Sequence, residues 1–242
     1  MRNLKIKVVI PVATDHYDAK VKEDFEKTVR PGTEISVVSL KRGPFRIESI
    51  YDKGFAVPFM LEVMKEAEEE GYDAIVIFCA CDVGLVAAKE LLTIPVVGMA
   101  ESSMHLAATL GEKFSVLAPT KEGVLMYRER ARLYKLEDRL ASVRDVNIQV
   151  ADLDKDITDL KQRLLDVGKK CIHDGADVII FGCGGIRGVR EWLQLQLGVP
   201  VIEPGLVAVR TAEMLVDLKL THSKMTFMKP LEKPIYLYES YK

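Results

Sequence analysis

The feature that most constrains this chain is an internal repeat of a short apolar segment that ends in a cysteine. Residues 71–85 have the sequence GYDAIVIFCACDVGL, and residues 175–186 have the sequence GADVIIFGCGGI. Cys183 follows Cys79 by 104 residues (183 minus 79), and the glycine and aspartate before each run keep the same offset. Such a run, bounded by turn residues, is typical of a buried parallel strand, and open α/β sheets bind ligands at the carboxyl ends of such strands. The repeat predicts two matched strands, each with a cysteine at its ligand-binding end.

A second pair of segments extends the repeat. Residues 94–97 are Ile-Pro-Val-Val and residues 199–202 are Val-Pro-Val-Ile, and predicted strands alternate with predicted helices along the 242 residues. This pattern predicts an α/β fold with two similar, doubly wound parallel-sheet lobes, related by a pseudo-twofold axis, and an active site in the cleft between them. The expected boundaries are residues 1–101 plus 204–225 for the first lobe, residues 102–203 for the second, and an extended C-terminal tail over residues 226–242.

Individual elements follow from periodicity and capping residues. We expect a helix over residues 19–28 with Thr14 and Asp15 as caps, a helix over residues 56–70, and a strand around residues 146–150. A long helix is expected over residues 157–173, and a helix over residues 206–218 is expected to cross back to the first lobe. The tail, with Pro230 and Pro234, is expected to pack on a neighbouring subunit of a homo-oligomer.

Composition and charge limit the classes of function. The formal net charge is −2, and the local basic run at residues 128–144 fits one solvated helix face, so no nucleic-acid partner is expected. No apolar stretch approaches the length that spans a membrane, and the N-terminal MRNLKIKVVIPVA fits a strand better than a signal peptide. Four cysteines without secretory features indicate a reducing compartment. The expected location is the cytoplasm, with no membrane partner.

Two cysteines that face each other across a cleft suit one kind of chemistry. Inversion of a carbon beside a carbonyl group needs a base on one face and an acid on the other, and two thiols can exchange these roles. Helix N-termini lower the pKa of a thiol, and a helix is expected after each cysteine. Backbone N–H groups at Asp82, Gly184 and Gly185 are expected to bind the substrate carbonyl or the developing enolate oxygen.

The sequence contains no motif for an organic cofactor or a metal ion. It has no P-loop, no G-x-G-x-x-G after the first strand and no context typical of a pyridoxal phosphate lysine. The four histidines, His16, His105, His173 and His222, are too scattered to complete a metal site with the Cys-x-Cys pair at residues 79 and 81. Neither a cofactor nor a metal is expected, and the expected partner is a small-molecule substrate.

Several other residues have both a functional and a structural interpretation. Cys171, on a helix, is expected to be inert core, and Cys81 is expected to point to the other face of its strand in a structural role. Thr14 and Thr120 are candidates for substrate contacts or for simple turn caps. Arg187 and Arg190 either bind an anionic substrate or form a solvent-facing helix stripe.

The motifs together resemble those of the aspartate, glutamate and hydantoin racemase superfamily, and especially its hydantoin and allantoin racemase branch. GPFRIESIYDKGFAVP at residues 43–58 is similar to that branch's G-P-x-x-I-E-x-x-Y-D segment, and CACDVGL at residues 79–85 to its C-x-x-D-P-G-L. FGCGG at residues 181–185 resembles the second cysteine motif, and the segment from Val201 to Lys224 resembles the closing helix and HSK end. PVVGMAESSMHLA, which begins at Pro95, resembles P-V-V-G-x-x-E-A.

The resemblance implies Cys79 and Cys183 as the acid and base, with the N-terminal loop and Thr120 holding the substrate. The sequence departs from the family in three places: residues 11–14 are Pro-Val-Ala-Thr in place of Asn-Pro-Asn-Thr, Val83 replaces a proline, and Cys81 occupies a position commonly held by a small or acidic residue. By analogy, Phe45, Arg46 and Ile47 are candidates for the pocket that holds the substrate's side chain. The substrate-binding residues expected from all these arguments are Thr14, Ile47, Asp82, Val83, Thr120, Gly184 and Gly185.

The predicted activity is cofactor-independent racemisation of a 5-substituted hydantoin or an allantoin-like substrate by the two cysteines. Three alternatives stay open: an aspartate or glutamate racemase, a cis-trans isomerase of the maleate isomerase type, and a non-enzymatic protein that binds a small ligand in a two-lobed cleft. A decarboxylase of the arylmalonate type keeps a cysteine on one face only, and the presence of both cysteines argues against it.

Overall fold

Two four-stranded parallel sheets form the framework of the protein. The structure, a computed structural model, describes residues 3–231 and 233. The strands are β1 (Leu4–Ile10), β2 (Thr33–Ser39), β3 (Ala74–Ile77), β4 (Val96–Gly98), β5 (Phe114–Ala118), β6 (Leu140–Asp145), β7 (Val178–Phe181) and β8 (Val201–Ile202). The helices are α1 (Asp18–Glu26), α2 (Ile50–Glu69), α3 (Leu85–Leu91), α4 (Met99–Leu110), α5 (Lys121–Leu133), α6 (Ile157–His173), α7 (Arg190–Leu197) and α8 (Pro204–Asp217).

The two sheets have the same topology, which confirms the predicted duplicated α/β fold. The strand orders are β2-β1-β3-β4 and β6-β5-β7-β8, and every pairing is parallel. The repeat extends to single hydrogen bonds at the strand ends. The N–H of Phe78 donates to the carbonyl oxygen of Val9 at 2.9 Å, and the N–H of Gly182 donates to that of Leu117 at 2.8 Å. Cys79 and Cys183 therefore leave their sheets at equivalent positions.

The core is divided among three hydrophobic clusters. Each lobe has its own cluster, packed on the outer face of its sheet, and a third cluster contains residues of both sheets together with α4 and α8. In this third cluster Val8 of β1 and Val116 of β5 are both almost fully buried. Burial of a Val or Leu side chain stabilises a fold by about 1.5–3 kcal/mol. The shared cluster therefore fixes the position of one lobe against the other.

The C-terminal part of the described chain lies against the first sheet and its neighbours. Helix α8 packs on α4, β3 and β4. After α8, Lys224 Nζ donates to the carbonyl oxygens of Lys89, Glu90 and Leu92 at 2.7, 3.1 and 2.5 Å, and His222 Nε2 accepts the N–H of Val96 at 2.8 Å. The lobe boundaries remain a prediction, and most of the expected extended tail, residues 232 and 234–242, lies outside the described residues.

Three element predictions differ from the structure. Helix α2 begins at Ile50 because the Ser49 hydroxyl accepts the N–H of Asp52 at 3.1 Å and caps the helix six residues before the expected start. The strand expected around residues 146–150 is wrong: β6 precedes it, as a half-exposed edge strand without a strong apolar pattern. The apolar Val146 and Ile148 are buried in a loop, where their N–H groups bond to the carbonyl oxygens of residues 118 and 119.

Helix α1 also begins differently from the expectation. It starts at Asp18 after Tyr17, which makes no side-chain capping bond, so Thr14 and Asp15 are not its caps. The Thr14 hydroxyl instead accepts the N–H of His16 at 3.4 Å. None of the helices in the described part of the chain has the length and apolar character needed to cross a membrane.

Candidate active site

A largely apolar cavity of about 140 Å³ lies at the carboxyl ends of the central strands of both sheets. The loops after β1, β3, β5 and β7 contribute to its walls, together with the segment before α2. Its lining includes Pro11, Val12, Tyr17, Phe45, Arg46, Ile47, Glu48, Phe78, Cys79, Cys81, Thr120, Met126, Tyr127, Val150, Cys183, Gly184, Gly185 and Arg187. The fold therefore brings both repeated cysteines to one cavity, as the repeat predicts.

The first cysteine of the pair lies just past the end of β3. Cys79 is partly exposed, and its N–H donates to the carbonyl oxygen of Ile77 at 2.9 Å. A hydrogen bond with the Cys81 sulfur and then burial raise the pKa of Cys79 well above the ordinary thiol value. Cys79 is therefore held as a thiol in the resting protein.

The second cysteine has a different local environment. The N–H of Gly185 donates to the Cys183 sulfur at 3.3 Å. Burial raises the pKa of Cys183 to about 11, although this N–H, that of Ile186 and the charge of Arg187 oppose the shift. Loop amides and a nearby cation therefore favour the thiolate of Cys183, but desolvation outweighs them.

The expected effect of helix N-termini on the two thiols is wrong. Helix α3 begins at Leu85, six residues after Cys79, and α7 begins at Arg190, seven residues after Cys183. The field of a helix end falls off within about one turn. Neither cysteine lies in the first turn of the helix that follows it, and both pKa values are raised, by the hydrogen bond with Cys81 and then burial for Cys79 and by burial for Cys183.

Cys81 lines the same cavity, whereas strand alternation predicted that it points to the other face; its structural role remains a prediction. The strand ends at Ile77, so the alternation of side chains no longer applies at residue 81. The Cys81 sulfur lies 3.7 Å from the Met126 sulfur, and its side chain is buried. Its hydrogen bond with Cys79 lowers the pKa of Cys81.

Asp82 and Val83 do not line the cavity, although both were expected to bind substrate. The Asp82 carboxylate accepts the N–H groups of Ala100 at 2.9 Å and Glu101 at 2.7 Å and the Tyr134 hydroxyl at 2.5 Å. It thus caps the first turn of α4, while burial raises the pKa of its carboxyl group against these hydrogen bonds. The Val83 side chain is buried in the core cluster of the first lobe.

Of the other residues expected to contact the substrate, four line the cavity and one does not. The cavity lining includes Ile47, Thr120, Gly184 and Gly185, together with Phe45 and Arg46. Thr14 is not part of that lining. Four of the seven expected substrate contacts are thus brought together with the two cysteines.

Two glycines after β7 allow close packing, Gly184 against the other lobe and Gly182 against β5 of its own lobe. A Cβ atom at Gly184 would lie 2.6 Å from Cζ of Phe78, which belongs to the first lobe's strand-end loop. A Cβ atom at Gly182 would lie 2.7 Å from the carbonyl oxygen of Leu117. Neither contact tolerates a side chain, so these positions need glycine for packing as well as for any contact to substrate.

Two further polar residues line the cavity: Tyr127, which the sequence did not indicate, and Arg187, for which the sequence left two interpretations open. The Tyr127 hydroxyl donates to the carbonyl oxygen of Gly182, and burial raises the pKa of Tyr127, so it remains a donor. Thr120, Gly123 and Tyr127 follow one another at intervals of three and four residues, so they lie on one face of α5. This spacing is the signal that could have predicted Tyr127 as a cavity residue. Arg187 lines the cavity rather than a solvent-facing stripe, and its side chain is 10% exposed.

The described part of the chain offers no obvious cation site. Among residues 3–231 and 233, no three His, Cys, Asp or Glu side chains are grouped so that they could hold a metal ion. The titratable and charged side chains that line the cavity are those of Tyr17, Arg46, Glu48, Cys79, Cys81, Tyr127, Cys183 and Arg187.

Comparison with known proteins gives a consistent result. Residues 6–212 match the sequence model of the Asp/Glu/hydantoin racemase family. A hydantoin racemase of Pseudomonas sp. (strain NS671) is 37% identical over 235 residues, which cover 97% of this chain and 94% of that protein. The structure of allantoin racemase from Klebsiella pneumoniae superposes with a TM-score of 0.91, with 28% identity and 97% coverage of both chains.

A second allantoin racemase structure, from Pseudomonas fluorescens, superposes with a TM-score of 0.90 at 30% identity, covering 96% of this chain and 100% of that one. The superpositions cover nearly the whole chain, and the range that matches the family model contains both cysteine segments. The chain is a member of the Asp/Glu/hydantoin racemase family.

Proposed function

We propose that this protein is a cofactor-independent racemase of a 5-substituted hydantoin or an allantoin-like ring, with Cys79 and Cys183 as its acid and base. The main support is that the two cysteines leave equivalent strand ends of the two lobes and line one cavity. Further support comes from relatives that are named hydantoin racemases and from similar structures of allantoin racemases.

In the proposed reaction, one proton leaves from one face of the ring and one proton is added to the opposite face. The thiolate of one cysteine removes the proton from the ring carbon, and the electron pair moves into the adjacent carbonyl as an enolate. The thiol of the other cysteine then donates its proton to the opposite face, which inverts the carbon and leaves the second sulfur as a thiolate. The reverse reaction exchanges the two roles.

The raised pKa values of both cysteines fit this scheme. The hydrogen bond with Cys81 and then burial disfavour the thiolate of Cys79, and burial disfavours that of Cys183. A thiolate in this cavity is therefore a stronger base than one in water, and a carbon acid needs such a base. The cost is that only a small fraction of the protein carries the reactive thiolate near neutral pH. The raised pKa also keeps the opposite cysteine protonated, and this is the proton that the opposite cysteine donates to the substrate.

The size and polarity of the cavity favour a ring with an apolar substituent. An apolar protein cavity of roughly 150 Å³ is known to bind benzene, and the cavity here is about 140 Å³. Phe45 and Ile47 lie on its wall at the segment before α2, where they can contact the substituent at the ring carbon. An aspartate or glutamate racemase would need separate sites for an ammonium and an α-carboxylate group.

The first test uses Cys79→Ser and Cys183→Ser, with Cys171→Ser as the control because Cys171 is buried outside the cavity. With an enantiomerically pure 5-substituted hydantoin in D₂O, we expect wild type and Cys171→Ser to racemise the substrate and to exchange its ring C–H for deuterium. Each cavity variant is expected to lose about 10²–10⁴-fold in kcat, which is the contribution typical of a general acid or base.

Polarimetry and proton NMR measure the two processes separately. Racemisation by both cavity variants at the control rate would contradict the two-cysteine mechanism. Aspartate, glutamate and maleate in the same panel test the rival activities, and turnover of one of them without turnover of any hydantoin would replace the proposed substrate.

A further inference from the structure

Arg187 is a buried cation in the loop that carries Cys183. It follows Cys183 by four residues (187 minus 183) and precedes α7. Its side chain lines the catalytic cavity and also a second, polar cavity of about 390 Å³. Burial of a guanidinium group destabilises the fold unless the group pairs with an opposite charge or stabilises a negative charge in the site.

The partner of Arg187 comes from the other lobe. Arg187 Nη1 lies 3.1 Å from Oδ2 of Asp24, on α1, and the Asp24 side chain is 32% exposed. The two groups are close enough for an ion pair, but neither Nε nor Nη1 of Arg187 has a well-aligned hydrogen-bond acceptor among the described residues. The hydrogen-bonding capacity of this guanidinium is therefore only partly satisfied.

Other charges surround Arg187 in the polar cavity. Arg190 is bonded to the exposed Glu191 at 2.9 Å. Burial, and then the charge of Asp24, raise the pKa of Glu203 to about 7, so this carboxyl group carries a partial charge near neutral pH. The charged and titratable groups that line the two cavities with Arg187 and Cys183 come from every surrounding element: Tyr17 before α1, Asp24 in α1 and Lys27 at its end, Arg46 and Glu48 before α2, Cys79 and Cys81 after β3, Tyr127 from α5, Arg190 and Glu191 from α7, and Glu203 before α8.

We propose that Arg187 is a positioning residue that stabilises the thiolate of Cys183 through its buried positive charge, which Asp24 of the opposite lobe offsets only in part. This inference rests on the proposed function, in which Cys183 acts as the base in one direction. Arg187 acts on Cys183 and not on the substrate.

The local geometry supports this role over a purely structural ion pair. Asp24 is more exposed than Arg187, so solvent screens its charge more effectively than that of the guanidinium. The remaining positive field is applied to a cavity whose other walls are mostly apolar, where charges interact strongly. Arg187 is among the groups that lower the pKa of Cys183 against the dominant effect of burial.

The experiment measures alkylation of the two cysteines in the free protein, without substrate. The probe is iodoacetamide, applied across a range of pH, and peptide mass spectrometry reports the labelling of Cys183 and Cys79 separately. In Arg187→Gln, which leaves Asp24 uncompensated, we expect Cys183 to be labelled about three- to tenfold more slowly at neutral pH and its labelling midpoint to move to higher pH.

Two further variants are expected to shift the reactivity of Cys183 in the opposite direction and to leave it unchanged, respectively. Asp24→Asn removes the counter-charge, so Cys183 is expected to react faster, with its midpoint at lower pH. Arg187→Lys keeps the charge and is expected to stay near wild type. Cys79 in the same samples is the internal reference, and its midpoint is expected to change less than that of Cys183.

An unchanged Cys183 midpoint in both Arg187→Gln and Asp24→Asn would overturn the proposal, as would equal shifts of Cys79 and Cys183, which would indicate general loosening of the cavity. If Arg187→Gln does not fold by circular dichroism, Asp24→Asn decides alone, because its site is partly exposed. Since labelling needs no turnover, a failure here is distinguishable from a failure of the racemase assay.

Discussion

At the scale of single residues, the loop after β7 combines chemistry and close packing. Gly184 lies beside Cys183 in the cavity wall and packs against Phe78 of the other lobe. Phe78 has little room to move, because its ring makes an edge contact with Phe25 at 5.6 Å between ring centres. A side chain at residue 184 would therefore displace the Cys183 loop.

Substitution of this glycine tests that packing. Gly184→Ala places a Cβ 2.6 Å from Phe78 Cζ, so we expect a loss of about 1–3 kcal/mol in the free energy of unfolding and a fall in kcat. The control is Gly54→Ala, in the interior of α2, where a Cβ would meet nothing within 4 Å. This control is expected to gain about 0.5–1 kcal/mol and to keep its activity.

Urea unfolding followed by circular dichroism gives both stabilities, and steady-state kinetics with a hydantoin gives kcat. A Gly184→Ala variant as stable and active as Gly54→Ala would show that the loop relaxes freely.

At the scale of elements, the connection between β3 and α4 depends on one side chain. Asp82 adopts a left-handed backbone conformation with φ of 46° and accepts two N–H groups of the first turn of α4 and the Tyr134 hydroxyl. It thereby joins the Cys79 loop to α4, a helix of the core shared by the lobes. The sequence position beside Cys79 suggested a contact with substrate, but the side chain points to a helix end.

Removal of this cap should destabilise the protein more than neutralisation of its charge. Asp82→Ala loses the cap, about 1 kcal/mol, and leaves buried donors without a partner, about 1–3 kcal/mol. We expect a total loss of about 2–4 kcal/mol in the free energy of unfolding. Asp82→Asn keeps one acceptor oxygen and a residue type that tolerates positive φ, and is expected to lose about half as much.

Chemical denaturation of the two variants beside wild type makes the comparison. Equal stabilities for Asp82→Ala and wild type would show that water replaces the carboxylate without cost.

At the scale of the whole molecule, the chain closes on itself after α8. His222 and Lys224 attach the segment that follows α8 to the end of α3 and the start of β4 in the first lobe. Burial, and then the charge of Lys89, lower the pKa of His222 to about 4. The neutral imidazole is the form that accepts the N–H of Val96.

This closure predicts how stability depends on pH. Because the folded pKa of His222 lies below the unfolded value of about 6.5, its contribution is fully present above pH 6.5 and is lost as pH falls toward 4, where the unfolded chain binds the proton first. The melting temperature of wild type is therefore expected to fall between pH 7 and 4.5. His222→Gln, which does not titrate, is expected to show a smaller fall.

Differential scanning calorimetry of both proteins across that pH interval measures the difference. Parallel curves for the two proteins would show that His222 does not contribute to the pH dependence.

The sequence by itself determined the parts of this protein that depend on local pattern. The two apolar runs 104 residues apart predicted matched buried strands, because a strand's period and its bounding turns are encoded in a few neighbouring residues. The same register selected Cys79 and Cys183 from four cysteines. Helix α6 was predicted with its observed bounds, 157–173, and in the structure Asp156 caps its first turn.

Only the tertiary structure decided what each loop residue touches. Cys81 lines the cavity because β3 ends before it, Asp82 caps α4, and Arg187 meets Asp24 across the lobes. These contacts join residues that are distant in the chain, and no local pattern encodes such a distance. The pKa values of the cysteines belong to the same class, because burial, which packing of the two lobes creates, outweighs the loop amides that the sequence places beside them.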